Sequence, residues 1–346
     1  MSGGDVVLAV DGGNSKTDLA LVCEDGEVLA LVRGLQSSPH YLGVDGSLDV
    51  IEALLAEALA RAGVTDGRGP VALVGELLMA GVDFPAEEQQ FRDAALLRRL
   101  AVRVSVANDT FAVLRAGTAK GWGVAVVCGT GINCVGVAPD GRQARFPALG
   151  TVTGDWGGGT DVGYAALAAA ARSEDGRGPK TSLERAVPAH FGLGTPAELA
   201  EAVHRGRVDL HAHDLVPIVL ASAPSDRVAA EILDRVADEV AALVRVALQR
   251  LDLTNEPVDV LLGGGMFLSG SRYLVAATED RLAEIAPEAT TRVTGSPPIV
   301  GAALLGLDEL AAGREAQERA RRELDEAFAR MEAGRRTVAR VGGTGG

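Results

Sequence analysis

The residues of this chain best suited to chemistry are acidic side chains and glycines that directly follow apolar runs. Asp11 closes the run from Val6 to Val10 and precedes Gly12 and Gly13. Such glycines expose backbone N–H groups and let phosphate oxygens approach closely, because no Cβ intervenes. A carboxylate at the end of the strand could hold a Mg²⁺ ion that accompanies the phosphates. An ordinary hairpin turn with a strand-end aspartate explains the same pattern about equally well.

A second candidate is Asp109, which lies where an apolar strand ends and a helix begins. A carboxylate there, near the positive end of the helix dipole, could accept a proton from a hydroxyl group, or orient it, during phosphoryl transfer. The alternative is a helix N-cap, a position that favours both Asp109 and its neighbour Asn108. Both interpretations stay open from the residues alone.

Two later segments combine glycines with the end of a strand or with an acidic residue. Asp155 lies in a glycine-rich stretch, residues 150–159, whose backbone could wrap a polyhydroxyl ligand or form a surface loop. Gly263, Gly264 and Gly265 follow an apolar run. They suit close approach of a flat ring such as adenine, or a tight strand-to-helix turn.

The elements that would position these residues are two similar strand units. The first, over about residues 6–32, reads strand, glycine turn, strand, Asp-Gly turn and strand; the second repeats this order over about residues 124–146, with Gly129, Thr130 and Gly131 at its tip. A repeat of this length predicts two similar domains with a cleft between them. One tip could then hold each side of a triphosphate.

The composition limits the class of protein. A chain of 346 residues suggests about two domains, and a net charge of −14 with only 3% aromatic residues argues against nucleic acid as a partner. Three cysteines without paired spacing are typical of a reducing compartment. No charged-then-apolar leader and no apolar run of membrane-spanning length is found, so we expect a cytoplasmic protein without a membrane partner.

Taken in order, the motifs resemble those of the actin-like ATPase and sugar kinase superfamily, and within it the N-acetylglucosamine kinase branch of the BadF/BadG/BcrA/BcrD ATPase family. The motifs are Asp-Gly-Gly-Asn-Ser-Lys-Thr at 11–17, Asn-Asp at 108–109, Gly-Thr-Gly-Ile-Asn at 129–133, Gly-Asp at 154–155 and Gly-Gly-Gly at 263–265. The resemblance spans about residues 5–312.

The resemblance implies an α/β fold of two ribonuclease H-like domains, each a mixed five-stranded sheet with flanking helices, with a cleft between them. The implied boundaries are an N-terminal domain at 1–117, a C-terminal domain at 118–312 with a helical insertion at about 173–225, and a polar helical or flexible tail at 313–346. It also implies a homodimer.

The implied activity is transfer of the γ-phosphate of ATP, with Mg²⁺, to a hydroxyl of a small-molecule amino sugar. N-acetylglucosamine, giving its 6-phosphate, is the expected substrate. Asp109 would be the catalytic base, and Asp11 would lie near the metal. ATP would contact Gly12, Gly13, Asn14, Ser15, Lys16, Thr17, Gly129, Thr130, Gly264 and Gly265. The sugar would contact His40, Asn108, Asp109, Ile132, Asn133, Gly150 and Asp155.

Two departures from the family pattern lie on the sugar side. Pro39 stands before His40 where the family has Asn, and Trp156 follows Asp155 where the family usually has Glu. Glucosamine or another hexose derivative therefore remains an alternative. An ATPase that activates a reductase or dehydratase would need cysteines grouped for an iron–sulfur cluster, which the sequence does not offer. A sugar-sensing regulator would need a helix-turn-helix segment, and the first strand begins near Asp5.

Overall fold

The structure, a computed structural model, describes residues 4–64 and 70–342, with side chains described as far as residue 333. The described chain divides into two compact units. One comprises Met1–Gly121 with Ser296–Gly346, and the other comprises Trp122–Gly295. Within the described ranges, no helix is both long enough and apolar enough to cross a membrane.

Each unit contains one five-stranded mixed sheet. The strands of the first are β1 (Val6–Gly12), β2 (Thr17–Cys23), β3 (Val28–Gly34), β4 (Ala72–Met79) and β5 (Ala101–Ala107). Those of the second are β6 (Gly123–Cys128), β7 (Ile132–Val137), β8 (Gln143–Arg145), β9 (Asp259–Gly263) and β10 (Thr290–Val293). The strand orders are β3-β2-β1-β4-β5 and β8-β7-β6-β9-β10. In both sheets the first three strands pair antiparallel and the last two join in parallel, so the predicted repeat and the two mixed sheets are confirmed.

Helices flank both sheets. In chain order they are α1 (Pro39–Ala62), α2 (Pro85–Leu97), α3 (Thr110–Gly117), α4 (Gly159–Glu174), α5 (Leu183–His190), α6 (Pro196–His204), α7 (Val216–Ser222), α8 (Arg227–Arg250), α9 (Gly265–Leu268), α10 (Arg272–Ile285), α11 (Pro298–Glu309) and α12 (Arg314–Gly342). Short 3₁₀ turns occupy Gly150–Val152 and Ala212–Leu215.

The first sheet is covered on both faces, which explains why β1 is apolar without alternation. Leu8 and Val10 pack with residues of α1 and α2, whereas Val7 and Ala9 pack with residues of α3, α11 and α12. All seven residues of β1 are buried, including the strand-end aspartate Asp11. The end of β1 is therefore held by packing from two sides.

The second unit has one continuous core. The long helix α8 buries a stripe at helical spacing that includes Val236, Val240 and Val244, and this stripe packs with β6, β7 and β9. The segment between α4 and α8 forms α5, α6, the second 3₁₀ turn and α7. These helices fall in the stretch where the resemblance implied a helical insertion.

The structure differs from the expected domain boundaries at the C-terminal end. Residues 296–312 lie in the first unit and not in the second, because the apolar face of α11 packs on β1 and α3. The expected polar tail is also corrected over its described side chains. Ala320 and Leu324 of α12 are fully buried in the core of the first unit, since a polar helix with one apolar stripe can cover a sheet.

Candidate active site

The β1–β2 turn is a tight hairpin whose tip points its polar residues outward. Gly13 donates its backbone N–H to the carbonyl of Lys16 at 2.9 Å, and Asn14 and Ser15 between them are exposed. These exposed positions leave backbone and side-chain donors available to an anion. The structure thus brings together the first predicted group of ATP-binding residues.

Gly12 lies in close contact with side chains of two neighbouring segments. A Cβ at this position would lie 2.5 Å from the Met79 sulfur and 2.7 Å from the Ser37 hydroxyl oxygen. Thr17, the hairpin partner of Gly12, donates its hydroxyl to the Ser37 oxygen at 2.7 Å, and the Ser37 N–H donates to the carbonyl of Gly13 at 3.3 Å. The segment after β3 therefore fixes the base of the turn.

A buried carboxylate holds the lysine of this turn. Asp18 is fully buried in β2 and accepts a hydrogen bond from the Lys16 ammonium at 2.6 Å. Arg33 of β3 donates to the same carboxylate through Nε at 2.5 Å and through a terminal nitrogen at 2.8 Å. Two cations thus share one anion directly beside the turn.

Asp11 lies at the end of β1 in the same unit, opposite Asp18 in the hairpin. Its side chain is 8% exposed, and burial raises its pKa to about 7, with smaller contributions from the charges of Asp109 and Asp18 that Lys16 opposes. A carboxylate in this position gains from a nearby cation, because the cation removes both the desolvation cost and the repulsion.

Of the Asn-Asp pair at the start of α3, Asn108 caps the helix and Asp109 does not. Asn108 accepts hydrogen bonds through Oδ1 from the N–H of Thr110 at 3.0 Å and from its hydroxyl at 2.7 Å. Asp109, the residue at the N-cap position, makes no side-chain cap hydrogen bond. The N-cap interpretation therefore applies to Asn108, and the Asp109 carboxylate is not committed to capping the helix.

Asp83, which follows β4, supports this arrangement from a separate loop. The Asn108 amide donates to Asp83 at 2.8 Å, which fixes the orientation of a side chain that is only 4% exposed. This geometry favours a positioning role for Asn108 over the predicted sugar contact. Asp83 was not among the predicted site residues, because a lone aspartate in a loop carries no signal until the strands are paired.

The Asp109 carboxylate is half-buried and strongly perturbed. Burial raises its pKa to about 7, the negative charge of Asp83 raises it further, and the backbone N–H groups of Asp109 and Thr110 oppose the shift. A carboxyl group with a pKa near the working pH is well matched to proton transfer. The first unit thus supplies a candidate general base.

His40 lies in the first turn of α1 and is exposed. Its ring meets the Tyr41 ring edge to face, with 5.5 Å between the ring centres. The sequence predicts a loop here and a helix from about residue 47, whereas α1 begins at Pro39 and continues across a kink at Gly43, where φ is 66°. Proline suits the first helical position, and Ser38 anchors the start by donating to the carbonyl of Ala80 at 2.9 Å.

The glycine turn of the second unit is held by backbone. Gly129 donates its N–H to the carbonyl of Gly131 at 2.9 Å. The carbonyls of Gly129 and Thr130 accept from Gly159 and Thr160 at 2.8 and 3.0 Å. The first turn of α4 therefore docks directly on this turn, which leaves the Thr130 side chain exposed.

This docking depends on glycine and on an acidic cap. A Cβ on Gly158 would lie 2.4 Å from the Gly131 Cα, closer than any side chain can approach. Asp161, three residues further on, accepts hydrogen bonds from the N–H groups of Gly157 and Gly158 at 3.1 Å each. Sequence reasoning missed Asp161, although an acidic residue at the third position of a helix is a capping-box signal.

A cavity of about 490 Å³ opens beside this turn, within the second unit. Three of the predicted ATP-binding residues line it, namely Gly129, Thr130 and Gly265. The other lining residues are mainly apolar or small, and most come from α7 and the α9 region: Gly159, His213, Val216, Pro217, Leu220, Ala221, Met266, Ser269, Gly270 and Ser271. The cavity could take a largely apolar ring system with a few polar edges.

Gly264 shapes the strand-to-helix turn next to this cavity. Its φ is 88°, and a Cβ would lie 2.3 Å from the carbonyl oxygen of Cys128. Only glycine both adopts this conformation and lets the chain pass so close to β6. Residues 263–265 therefore form the tight strand-to-helix turn that the sequence predicts as one alternative, and the same turn presents Gly265 to the cavity.

The predicted sugar contacts of the second unit have structural partners. Asp155 accepts hydrogen bonds from the Gly150 N–H at 3.1 Å and from the Thr153 hydroxyl at 2.5 Å, closing its own loop. Ile132 is 5% exposed and belongs to the core, and Asn133 accepts from the Cys134 N–H at 2.7 Å. The structure thus gives Asp155, Ile132 and Asn133 packing or loop-closing partners.

Trp156, one of the two residues that depart from the family pattern, contacts the long helix α8. The guanidinium carbon of Arg235, on α8, lies 3.8 Å from the centre of the Trp156 ring. Cation–π stacking of this kind fixes the aromatic side chain on the long helix. Trp156 therefore anchors the glycine-rich loop of residues 150–159 to the core helix.

Among the described residues, no group of three or more His, Cys, Asp or Glu side chains could hold a metal ion. Mg²⁺ typically uses one or two carboxylates together with phosphate oxygens and waters. Asp11 fits such a need, being a buried carboxylate with a raised pKa beside a glycine turn.

The duplicated sheets, their glycine turns and the flanking helices define an actin-like ATPase fold. Comparison with known proteins identifies the family within it. The model of the BadF/BadG/BcrA/BcrD ATPase family matches residues 8–306, and the chain belongs to this family.

Similar proteins with amino sugar kinase names support the assignment. The chain is 30% identical over 272 residues to an N-acetylmuramic acid/N-acetylglucosamine kinase of Clostridium acetobutylicum, covering 78% of this chain and 87% of the relative. It is 26% identical over 313 residues to an N-acetyl-D-glucosamine kinase of Dictyostelium discoideum, covering 88% and 98%. A solved structure of a candidate N-acetylglucosamine kinase from Chromobacterium violaceum is 27% identical, with a TM-score of 0.68 and coverage of 87% and 98%.

Proposed function

We propose that the protein is an ATP- and Mg²⁺-dependent kinase of an amino sugar, with N-acetylglucosamine as the leading substrate and its 6-hydroxyl as the acceptor. Family membership and the names of two relatives support phosphoryl transfer to an amino sugar. One structural observation carries the proposal: Asn108 takes the Thr110 N–H, so the Asp109 carboxylate, with a pKa of about 7, is not needed to cap α3.

In this proposal Asp109 accepts the proton of the sugar hydroxyl as its oxygen attacks the γ-phosphate. A base of this kind contributes roughly 10²- to 10⁴-fold to a rate. Asn108 and Asp83 orient the start of α3 and thereby the carboxylate. Asp11 would hold Mg²⁺, which supplies charge neutralisation for the phosphates.

The two glycine turns would divide the recognition of ATP. Residues 12–17 of the first unit would bind the β- and γ-phosphates through backbone N–H groups, Ser15 and Lys16. The cavity beside Gly129 and Gly265 would take the adenosine, since its lining combines apolar side chains with small polar groups. Substitutions in either unit are therefore expected to weaken ATP binding.

His40, Gly150 and Asp155 remain proposed sugar contacts. Two of them are next to the residues that depart from the family pattern, Pro39 and Trp156, so the proposal keeps alternatives for the sugar. Glucosamine is the first alternative, and N-acetylmuramic acid enters because a relative is named for it. An ATPase that activates another enzyme is the alternative from a different class. Its cysteine cluster has no counterpart in Cys128 and Cys134, which are buried and whose thiol pKa values burial raises well above the usual range.

A coupled ADP-release assay tests the proposal across N-acetylglucosamine, N-acetylmuramic acid, glucosamine, N-acetylmannosamine, glucose and a sugar-free blank. We expect release that depends on an amino sugar and on Mg²⁺, fastest with N-acetylglucosamine, and a product whose phosphorus resonance couples to the C6 protons. Hydrolysis at the full rate without sugar would instead favour the ATPase activator.

We also propose that this kinase works in the cytoplasm, where ATP is available, and as a homodimer. Light scattering coupled to gel filtration measures the assembly directly. A mass near 71 kDa, twice the 35.5 kDa of the chain, would support the dimer, and a mass near 35.5 kDa would refute it.

A further inference from the structure

The helix α12 contacts the charged cluster beside the first glycine turn, which consists of Lys16, Asp18 and Arg33. The matched family region ends at residue 306, whereas α12 begins at Arg314. Phe328 of α12 places its ring centre 4.7 Å from the Arg33 guanidinium carbon and 5.5 Å from the Lys16 nitrogen. Both cations thus contact one aromatic ring that a helix outside the matched region supplies.

The same helix also supplies a charge. Glu332, one turn beyond Phe328, accepts a hydrogen bond from the Arg33 guanidinium. Arg33 in turn donates to Asp18, and Asp18 accepts from Lys16. The cluster therefore contains two positive and two negative groups, with the negative charge of Glu332 contributed by α12.

Exposure shows which member of the cluster can act on a ligand. The side chains of Asp18 and Arg33 are 0% and 5% exposed, while the Lys16 side chain is 38% exposed. Lys16 is also the member that belongs to the glycine turn. The buried members are placed to hold it, and it alone combines a position in the turn with exposed surface.

α12 is fixed to the first unit by contacts elsewhere along its length. Glu323 accepts the backbone N–H of Val28 on the edge strand β3 at 2.9 Å, and Arg319 pairs with Asp25 at 2.8 Å. Leu324 is fully buried in the core. The helix therefore presents Phe328 and Glu332 from a defined position.

We propose that α12 positions the lysine of the phosphate-binding turn, with Phe328 and Glu332 as positioning residues that act through Arg33, Asp18 and Lys16. Arg33 takes a large share of the Asp18 carboxylate, so the ion pair with Asp18 orients the Lys16 ammonium while offsetting only part of its positive charge. Phe328 supplies the surface on which both cations are held. The inference rests on the proposed function only in taking ATP as the ligand of this turn.

Calorimetric titration of Mg²⁺-ATP, without sugar, is the direct test. We expect Phe328→Ala to weaken ATP binding about three- to tenfold, the range that loss of a cation–π contact allows. Glu332→Gln should change ATP affinity less than about threefold, because the lost contact to Arg33 is offset by the loss of a negative charge from the cluster. Steady-state assays with sugar should show the same rise in KM for ATP, with kcat and KM for the sugar changed less than about twofold. Glu326→Gln is the matched control, because Glu326 lies on the same helix and pairs with Arg330 of that helix at 3.7 Å.

A double-mutant cycle separates positioning from general destabilisation. In a Lys16→Met background, Phe328→Ala should have no further effect on ATP affinity, because its effect passes through Lys16. Phe328→Tyr should restore near-normal binding, since the aromatic face is kept. An equal loss in both backgrounds, or unchanged ATP affinity with only a lower melting temperature, would overturn the inference. Absence of ATP binding by the unaltered protein would overturn both proposals, whereas ATP binding without sugar phosphorylation would overturn the kinase alone.

Discussion

The two units share one topology but differ in where they bury charge. Counted back from the last residue of the first strand, Asp11 in β1 corresponds to Val127 in β6. By the same register, Glu76 in β4 corresponds to Leu261 in β9. Asp109 lies two residues after the fifth strand of the first sheet, whereas Gly295 lies two residues after the fifth strand of the second. The first unit therefore carries carboxylates at positions where the second has apolar or neutral residues.

The units also hold their glycine turns differently. The first turn is fixed by side chains, through the Thr17–Ser37 hydrogen bond and the Asp18 cluster. The second is fixed by backbone hydrogen bonds from Gly159 and Thr160 and opens beside a largely apolar cavity. The repeat thus supplies one scaffold twice, with carboxylates near the turn of the first copy and a largely apolar cavity beside the turn of the second.

The largest expected effect tests whether chemistry is confined to the first unit. Asp109→Asn should lower kcat by about 10²- to 10⁴-fold, the range for loss of a general base. ATP affinity should change little, because the asparagine keeps the size and leaves the turn intact. Rapid-quench and steady-state assays measure the rate, and calorimetry measures ATP binding.

Asp93→Asn is the matched control for this substitution, because Asp93 is exposed on α2 and accepts a hydrogen bond from Gln89 on the same helix. It should retain the full rate. If Asp109→Asn keeps more than about one tenth of the normal kcat, the carboxylate is not the base and the division of roles between the units fails.

The next effect sharpens the difference in how the turns are held. Gly158→Ala places a Cβ 2.4 Å from the backbone of Gly131, whereas Gly12→Ala meets the flexible end of Met79 at 2.5 Å and the Ser37 hydroxyl at 2.7 Å. Backbone yields less readily than the end of a side chain. Gly158→Ala should therefore lower the free energy of unfolding more than Gly12→Ala, within the range of about 1–3 kcal/mol that is typical of overpacking.

Thermal unfolding compares these variants, with Gly131→Ala as the control, since nothing lies within 4 Å of a Cβ there. We expect the unfolding midpoint to fall most for Gly158→Ala, less for Gly12→Ala and least for Gly131→Ala. A larger fall for Gly12→Ala would mean that side chains, and not backbone, set the tighter constraint.

The sequence predicted the strands and glycine turns of the two repeated units because each strand there is a short apolar run and glycine or Asp-Gly separates it from the next. It could not predict which sheet an apolar helix covers, so α11 was assigned to the wrong unit by adjacency along the chain. α7, which lines the cavity, was missed because seven residues around Pro217 carry no clear helical period. The start of α1 was missed because Gly43 suggests a break, and the chain crosses it with a kink.

The sequence predicted the site best at glycines, because a glycine beside a strand usually marks a turn or a close backbone approach. The glycines that follow strands were found, and a Cβ on Gly264 would clash with backbone, as would one on Gly158, whereas a Cβ on Gly12 would press on side chains. Partnerships across the sheet were not found, because sequence distance hides them: Asp83 and Asn108 are 25 residues apart, and Arg33 and Glu332 are 299 apart. The role of Asp109 stays a prediction that the first substitution tests.

A smaller effect concerns the ionisation of the first unit. Burial is the main cause of the raised pKa of Asp109, and the charge of Asp83 adds to it. The ionised form is the base, so kcat/KM should fall as pH drops through about 7. Asp83→Asn removes the neighbouring charge but keeps an acceptor for Asn108, and the acid limb should therefore move to lower pH by less than about one unit. A pH–rate profile measures the shift, Asp93→Asn should leave the limb in place, and a shift to higher pH would contradict the assignment.

The smallest effect concerns stability and the buried Glu76, whose counterpart Leu261 is apolar. Burial raises the pKa of Glu76 to about 9, and the charge of Glu309 and a hydrogen bond to it add to the shift. The folded protein therefore keeps this proton between about pH 4.5 and pH 9, while the unfolded chain releases it. The contribution of this group to stability is complete below pH 4.5 and is lost as the pH rises towards 9.

Glu76→Gln keeps the neutral shape and a donor for Glu309 but has no proton to lose. We expect the unfolding midpoint of the variant to equal or slightly trail that of the unaltered protein near pH 5 and to exceed it by a few degrees near pH 8.5, since about 1 kcal/mol shifts a midpoint by roughly 2–4 °C in a protein of this size class. Asp11 and Asp109 also titrate, but both proteins contain them, so the difference between the two midpoints isolates Glu76. Glu57→Gln on the exposed surface of α1 should show no pH-dependent difference, and a constant difference at both pH values for Glu76→Gln would mean that the buried carboxyl is ionised throughout.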